Sequence, residues 1–451
     1  MAATDPTRSI RQYEHPSAFD LSASDLLNRL SDLPPSIDVP YLTITIDWRV
    51  QGGQPGRQED IDVKRSQTRN VDNDGGSGRP ALRQVEQEIN RLIDAQGPRG
   101  DVLDSLTADR GNVLEWIRTQ LDPSAQGVYI VANAKHGVFE ATGLALPLET
   151  RVALSPTPRI YQLVRLIEDN PTYGVLVVDQ GEAELSFITH GSREHSVTLT
   201  SSLYPRRTQQ GAFNQRRYQN RADERVEAFA RDICDQTSRA LHDAGVDILV
   251  LAGSTVMMSA VEKEMSADLS SKLVDRIRTE TPLDEHAKIN LTLPVADRAE
   301  RDAEAAVVSK LADRIGTDGR GATGVADTLR ALQNGQVDEL VMLDTFREPG
   351  WADYSMSVFG VGEIPAEHPI GGDIANVHAI ELRNEMIRLA LGSKAKVDIV
   401  HSEVAADAIE SVGSGGERPR TKAAVQLDDM GGVGAVLRYT MMDGDAPAPN
   451  V

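Results

Sequence analysis

Cysteine is nearly absent, with Cys234 the single thiol in 451 residues. One thiol can neither close an internal disulfide nor supply a multi-thiolate metal site, and its natural place is as a small buried residue on a helix, in a reducing compartment. Long apolar runs are missing as well. No stretch reaches the roughly eighteen residues of a spanning helix, and the opening segment MAATDPTRSIRQYEHP has no basic-then-apolar signal pattern. These absences predict a cytoplasmic protein with no membrane partner. Cationic charge is also scarce, 47 Lys and Arg against 68 Asp and Glu for a net charge of −21. A surface this acidic cannot coat nucleic acid as a whole, because phosphate binding needs clustered cations, so any RNA contact must be local. No GxxxxGK[ST] loop and no HExxH pair occurs. Nucleotide hydrolysis and a zinc site are therefore not expected, nor is any cofactor or metal. The nine histidines are scattered, with His190 and His195 the only close pair, and they read as ordinary loop residues.

The length and a hydrophobic content of 40% allow several cores. YLTITIDW alternates as a strand should, ALRQVEQEINRLIDAQ and GNVLEWIRTQL have helical spacing, and GVYIVANAKHGVFEATGL reads as a hairpin. The Gly-, Gln- and Asp-rich stretch 51–80 reads as a mobile loop. A second set follows: the helix IYQLVRLIED, the strands YGVLVVD and AELSFITHG, a helix from Asn214 to His242, and the buried strand VDILVLAGS. The stretch MMSAVEKEMSADLSSKLVDRI reads as one more helix. The third set opens with the charged helix ADRAERDAEAAVVSKLADRIG and alternates through DTLRALQNG, VDELVMLD, NVHAIELRNEMIRLALGS, KVDIVHSE and GVGAVLRY. The fold class is thus α/β (α+β), in three consecutive domains, 1–155, 156–295 and 296–445, each a mixed sheet with helices.

Where the arginines cluster is the informative feature. LYPRRTQQGAFNQRRYQNRADERVEAF carries Arg206, Arg207, Arg216, Arg217, Arg221 and Arg225, with no acidic residue between Pro205 and Ala222. Arg217, Arg221 and Arg225 recur at four-residue intervals on one helical face, while Val226 and Phe229 begin the face that packs down. Gln209, Gln210, Gly211, Ala212, Phe213, Asn214 and Gln215 form a polar, glycine-containing loop suited to close approach to a phosphate backbone. Phe213 and Tyr218 can stack on bases or pack. The plain alternative is a solvated helix face beside a mobile loop.

In order along the chain, several segments resemble the middle and C-terminal domains of the archaeal and eukaryotic release factor and Pelota superfamily. YGVLVVDQGEAELSFI resembles its opening strand pair, and GAFNQRRYQNRADERVEAF stands where the family has its Gly-Gly-Gln loop and following helix. ATGVADTLRALQNGQVDELVMLD and GGVGAVLRY resemble the start and the last strand of its C-terminal domain. The resemblance covers about 157–440. The first domain is closer to bacterial members, a group that includes a ribosome hibernation factor, and it has no counterpart of the stop-codon reading motifs. Carried over by position, Gly211, Ala212 and Phe213 stand for Gly-Gly-Gln, and Arg217 and Tyr218 match the Arg-Phe pair. Phe213 cannot hold a water through its side chain. The resemblance therefore implies a non-catalytic factor that occupies the ribosomal A site with a tRNA-like shape, against rRNA near the peptidyl-transferase centre, in hibernation or protection. It also implies a contact between the C-terminal domain and elongation factor Tu or another translational GTPase. The alternatives are ribosome rescue by peptidyl-tRNA hydrolysis or tRNA cleavage, with Gln209, Gln210 or Gln215 substituting, and a non-ribosomal interaction protein that inherited the fold. The literal Gly52-Gly53-Gln54 lies some 160 residues before the expected place and reads as coincidence. Asp47, Asp179 and Asp344 end strands as nuclease carboxylates can, but they fall in separate domains and read as turn residues.

Overall fold

The computed structural model describes residues 26–49, 80–95, 100–123, 125–179, 182–189, 192–199, 215–279, 284–317, 319–403 and 419–440. The chain divides into two compact units, one of residues 170–303 and one that combines residues 18–169 with 304–451. The fold is mixed α/β throughout, and each of the three stretches expected as a domain carries its own sheet.

The first stretch builds an antiparallel sheet in the order β3-β2-β1-β4, from β1 (Tyr41–Asp47), β2 (Gly127–Asn133), β3 (Val138–Leu144) and β4 (Arg151–Ser155). Its apolar positions alternate, and Leu42, Ile44 and Ile46 face α1 (Pro80–Ala95) and α2 (Asp101–Thr119) in one core with Val85, Ile89, Val113 and Ile117. The helix read from Gly111 onward begins ten residues earlier, at Asp101. Strand β4 was missed in the sequence because RVALS is short and only half-buried. α3 (Tyr161–Glu168) completes this part.

The middle unit is a sheet in the order β7-β6-β5-β8-β9, from β5 (Thr172–Asp179), β6 (Glu182–Thr189), β7 (Ser192–Leu199), β8 (Leu249–Gly253) and β9 (Leu273–Arg278). Its helices are α4 (Gln215–Ala244), α5 (Thr255–Glu264), α6 (Ala267–Lys272) and the first part of α7 (Glu285–Thr317). The single helix expected over MMSAVEKEMSADLSSKLVDRI is instead α5, α6 and β9. Met265 is extended, the Ser266 hydroxyl accepts from the Leu269 N–H to start a new helix, and LVDRIR alternates buried and exposed beside β8. α7 likewise starts earlier than the charged segment that announced it and runs through Pro294.

The third stretch adds α8 (Gly324–Gln333), α9 (Leu382–Gly392) and α10 (Lys422–Asp429) to two sheets. One, in the order β10-β16-β11-β15, uses β10 (Gly321–Thr323), β11 (Val337–Leu343), β15 (Lys396–Val400) and β16 (Val433–Leu437). The other, β13-β12-β14, uses β12 (Pro349–Asp353), β13 (Val358–Val361) and β14 (Val377–Glu381). NVHAIELRNEMIRLALGS is therefore half strand and half helix. Trp351 pairs across the ladder with Gly360, where a Cβ would meet the indole at 2.1 Å, so only glycine fits beneath that ring. The first and third stretches share one apolar core, in which Tyr41, Tyr129, Leu163 and Val164 join Leu340, Met342, Met386 and Ile399.

Two histidines correct the reading of that residue type as loop filler. The His368 Nδ1 accepts the Gly372 N–H at 2.9 Å, which leaves Nε2 to donate to Asp353 Oδ2 at 3.1 Å, both side chains being fully enclosed. Asp353 is held below the usual carboxylate range, chiefly by the Ser355 hydroxyl and then by the backbone N–H groups of Ser355 and Met356. His401 lies between two carboxylates, with Nδ1 2.6 Å from Glu304 and Nε2 2.9 Å from Asp169, the latter an ion pair without hydrogen-bond alignment. Those partners raise its pKa to about 10 against a smaller opposing effect of burial. Asp169 is the last residue before the middle unit and Glu304 the first after it.

A buried carboxylate shows the opposite sign. Asp109 accepts the Ala134 N–H at 2.8 Å and the Ser105 hydroxyl at 3.2 Å, and burial still pushes its pKa up to about 6. Because the folded pKa exceeds the unfolded one, the group favours the folded state most below about pH 4. That contribution falls until about pH 6 and is constant above. Asp109→Asn keeps the acceptor for the Ala134 N–H and turns the Ser105 contact into a donation from Nδ2, so the variant should lose this slope and improve relative to wild type by about 2 kcal/mol between pH 4 and pH 8. Urea unfolding at pH 4 and pH 8 checks it. His401, raised to about 10, should stabilise fully below about pH 6.5, and that contribution should fall as pH rises towards about 10, where it is gone. Imidazole 15N shifts still characteristic of the imidazolium at pH 8 are the expected observation.

Candidate nucleic-acid interface

The arginine-rich segment is built on α4. Arg206, Arg207, Gln209, Gln210, Gly211, Ala212, Phe213 and Asn214 lie outside the described residues. Gln215, Arg216, Arg217, Tyr218 and Arg221 occupy the first two turns of α4, and Arg225 follows one turn later with its side chain exposed. At four-residue intervals, positions 217, 221 and 225 fall along one side of the helix.

The helix is anchored just beyond those turns. Phe229, Ala230, Ile233, Cys234, Ala240 and Leu241 are buried against Leu176, Leu185, Phe187, Leu249 and Leu251 of the sheet and against Met257 and Val261 of α5. Val226 packs half-buried at the edge of this core. Leu241 reaches the sheet over Gly174, where a Cβ would stand 2.9 Å from the Leu241 Cδ2. The Cys234 thiol donates to the Val261 carbonyl at 3.3 Å, and burial pushes its pKa up to about 12, so it is a packing group rather than a nucleophile. Arg231 and Glu227 are tied to α5 through Glu264 and Lys263 at 3.0 and 2.7 Å. These pairs lie in solvent and are weak, so the apolar face holds the helix.

The opposite face of the same strands is buried too. Tyr173, Val175, Ile188 and Val250 pack against Ala296, with Ile289 and Val295 beside them. Thr292 donates its hydroxyl proton to the Lys288 carbonyl at 2.7 Å, so Tyr173 is the donor in its 3.1 Å bond to Thr292. Buried Lys288 reaches Glu184 at 2.6 Å. The sheet is thus clamped between α4 and α5 on one side and α7 on the other, a rigid support for the first turns of α4.

Other groups singled out in the sequence do not gather. Asp47 pairs with Arg49 at 2.6 Å, and Asp344 accepts the Ser402 N–H at 3.1 Å and the Ser402 hydroxyl. Among the described residues no three His, Cys, Asp or Glu side chains come together as a metal set, and no helix is long and apolar enough to cross a membrane. The sequence reading passed over the third-stretch cluster of Glu381, Arg383, Asn384 and Glu385, polar positions on either side of Leu382 at the start of α9. Only the burial of Arg383, Asn384 and Glu385 marks them.

Replacing Phe229 by alanine should cost about 3–5 kcal/mol through the cavity left under α4. Arg225→Glu should change stability by no more than about 0.5 kcal/mol, since that side chain projects outward. Denaturant midpoints of the two variants check the division between support and surface.

Residues 158–304 match the model of the bacterial archaeo-eukaryotic release factor family 10. No curated relative matches the chain. Among solved structures, the archaeal translation termination factor aRF1 is 15% identical with a TM-score of 0.23, covering 93% of this chain and 98% of its own. Dom34 of S. cerevisiae, a translation termination-like factor interacting with Hbs1, is 12% identical with a TM-score of 0.37, covering 71% and 81%. The archaeal Pelota bound to the ribosome with ABCE1 is 15% identical with a TM-score of 0.37, covering 68% and 73%. Residues 158–304, which hold the whole of α4 and its supporting sheet, are thus the part of the chain that is similar to the bacterial archaeo-eukaryotic release factors of family 10.

Proposed function

We propose that this chain is a ribosome-associated translation factor that enters the A site with a tRNA-like shape and protects idle ribosomes without releasing peptide. The observation that carries the reading is the family match over residues 158–304, which spans the Arg206–Arg225 segment in an otherwise acidic chain. Local cations on a helix anchored to a clamped sheet suit rRNA phosphate, which a net charge of −21 would otherwise repel. Phe213 at the third loop position removes the amide that would place a water, so binding outlives hydrolysis in this reading. The third stretch, 296–445 as divided in the sequence, is then the part that meets elongation factor Tu or another translational GTPase.

Ribosome co-sedimentation at moderate salt tests it. Wild-type protein should pellet with 70S particles, and Arg216→Glu/Arg217→Glu should lower the bound fraction about tenfold or more through lost phosphate contacts. Equal pelleting of both proteins would sink the RNA-binding role of this segment. Release of labelled peptide from stalled complexes, lost on Gln210→Ala or Gln215→Ala, would replace protection by rescue.

A further inference from the structure

A cavity of about 540 Å³ opens between β1 and β4 of the first sheet, α1, α3 and the start of α9. That size falls within the range of about 300–1,000 Å³ typical of small-molecule sites. Its charged lining is Arg151, Arg159 and Arg383 against Glu88 and Glu381. We propose that this cavity binds a phosphate group, free or carried by a mononucleotide, through the Arg159 and Arg383 guanidinium groups.

The hydrogen bonding of these two arginines carries the inference. Arg383 is 3% exposed, and its guanidinium carbon lies 3.6 Å over the centre of the Tyr161 ring. Its Nη2 donates to Glu381 Oε1 at 2.8 Å, while Nε and Nη1 find no acceptor among the described residues. Arg159 donates from Nη1 to Glu381 Oε2 at 2.8 Å, and its Nε also lacks an acceptor. Asn384 Nδ2 takes a further place on Glu381 Oε2 at 3.1 Å. One carboxylate therefore serves two guanidinium groups and an amide, and cationic charge remains in excess. Burial of a guanidinium with empty donors is unfavourable unless something supplies oxygens.

The count of empty donors points to the ligand class. Nε and Nη1 of Arg383 and Nε of Arg159 are three nitrogens carrying four N–H bonds on two guanidinium groups, and the oxygens of a tetrahedral phosphate can meet two forks at once where a planar carboxylate meets one. Planar guanidinium forks suit phosphate. The walls that bring them together are held independently of any ligand. The Arg159 N–H donates to Thr43 Oγ1 at 3.1 Å, and the Tyr161 N–H to Asn384 Oδ1 at 3.0 Å. An Arg383 that merely packs on Tyr161 would predict no anion affinity at all.

Calorimetric titration of the full-length chain with inorganic phosphate, adenosine monophosphate and adenosine tests the proposal. Saturable binding of the two phosphorylated compounds and none of adenosine is expected. Tighter binding of the monophosphate identifies a nucleotide as the source, and equal affinity identifies free phosphate. Arg159→Gln should weaken binding at least tenfold while the ligand-free protein still unfolds in one cooperative transition, and Arg383→Met should abolish it. Should Arg383→Met fail to fold, the Arg383 Nε–H resonance of the wild-type protein decides, and it should shift on addition of phosphate. No saturable binding at millimolar concentration, binding of adenosine equal to that of its monophosphate, wild-type affinity in Arg159→Gln, or an unmoved Arg383 resonance would each overturn it.

Discussion

The chain leaves its larger unit after Asp169 and re-enters it at Glu304, and one imidazolium holds both points. His401 sits at the end of β15, and its carbonyl accepts the Thr421 hydroxyl that caps α10. The exit, the return and the last helix are thereby tied to one strand end. Asp169 is also bonded by Arg165 of α3 at 3.1 Å, so the exit is pinned from two directions. Since no histidine elsewhere in the described residues has a carboxylate at each ring nitrogen within 3 Å, its charge is a property of this junction.

Within the middle unit the governing constraint is a sheet buried on both faces. Alternate residues of β5 point to different cores, with Leu176 and Val178 toward α4 and Tyr173 and Val175 toward α7. A shift of one residue would exchange the two sets, so the register of the strand fixes the height at which α4 meets the sheet. That register thereby places α4 on a sheet packed on both faces. Phe229 and Ile233 hold the helix there.

In the larger unit the first and third stretches are separated by the whole middle unit in sequence and yet share a core. Arg159, Thr157 and Tyr161 reach Glu381, Glu385 and Asn384 across more than 220 residues of chain. A polar seam of this kind costs desolvation and contributes little more stability than apolar packing of the same volume would.

The strands β1, β2, β5, β8, β11, β15 and β16 and the helix α4 were legible because their apolar residues repeat with the period of their own backbone. β4, β9, β12 and β13 were not, being short, half-exposed or alternating in a way that a helix also permits. Of the candidate interface, the sequence showed the island of arginine and the apolar stripe beginning at Val226, which are local patterns. The Arg383 site had no such signal, since a buried charge looks like any other charge until its neighbours are known. By itself the sequence determined which segments fold and where the cations cluster, through spacing and composition. Only the tertiary structure decided that the first and third stretches share a core, that His401 is an imidazolium, and that two arginines share one carboxylate, because each depends on contacts between residues far apart in the chain.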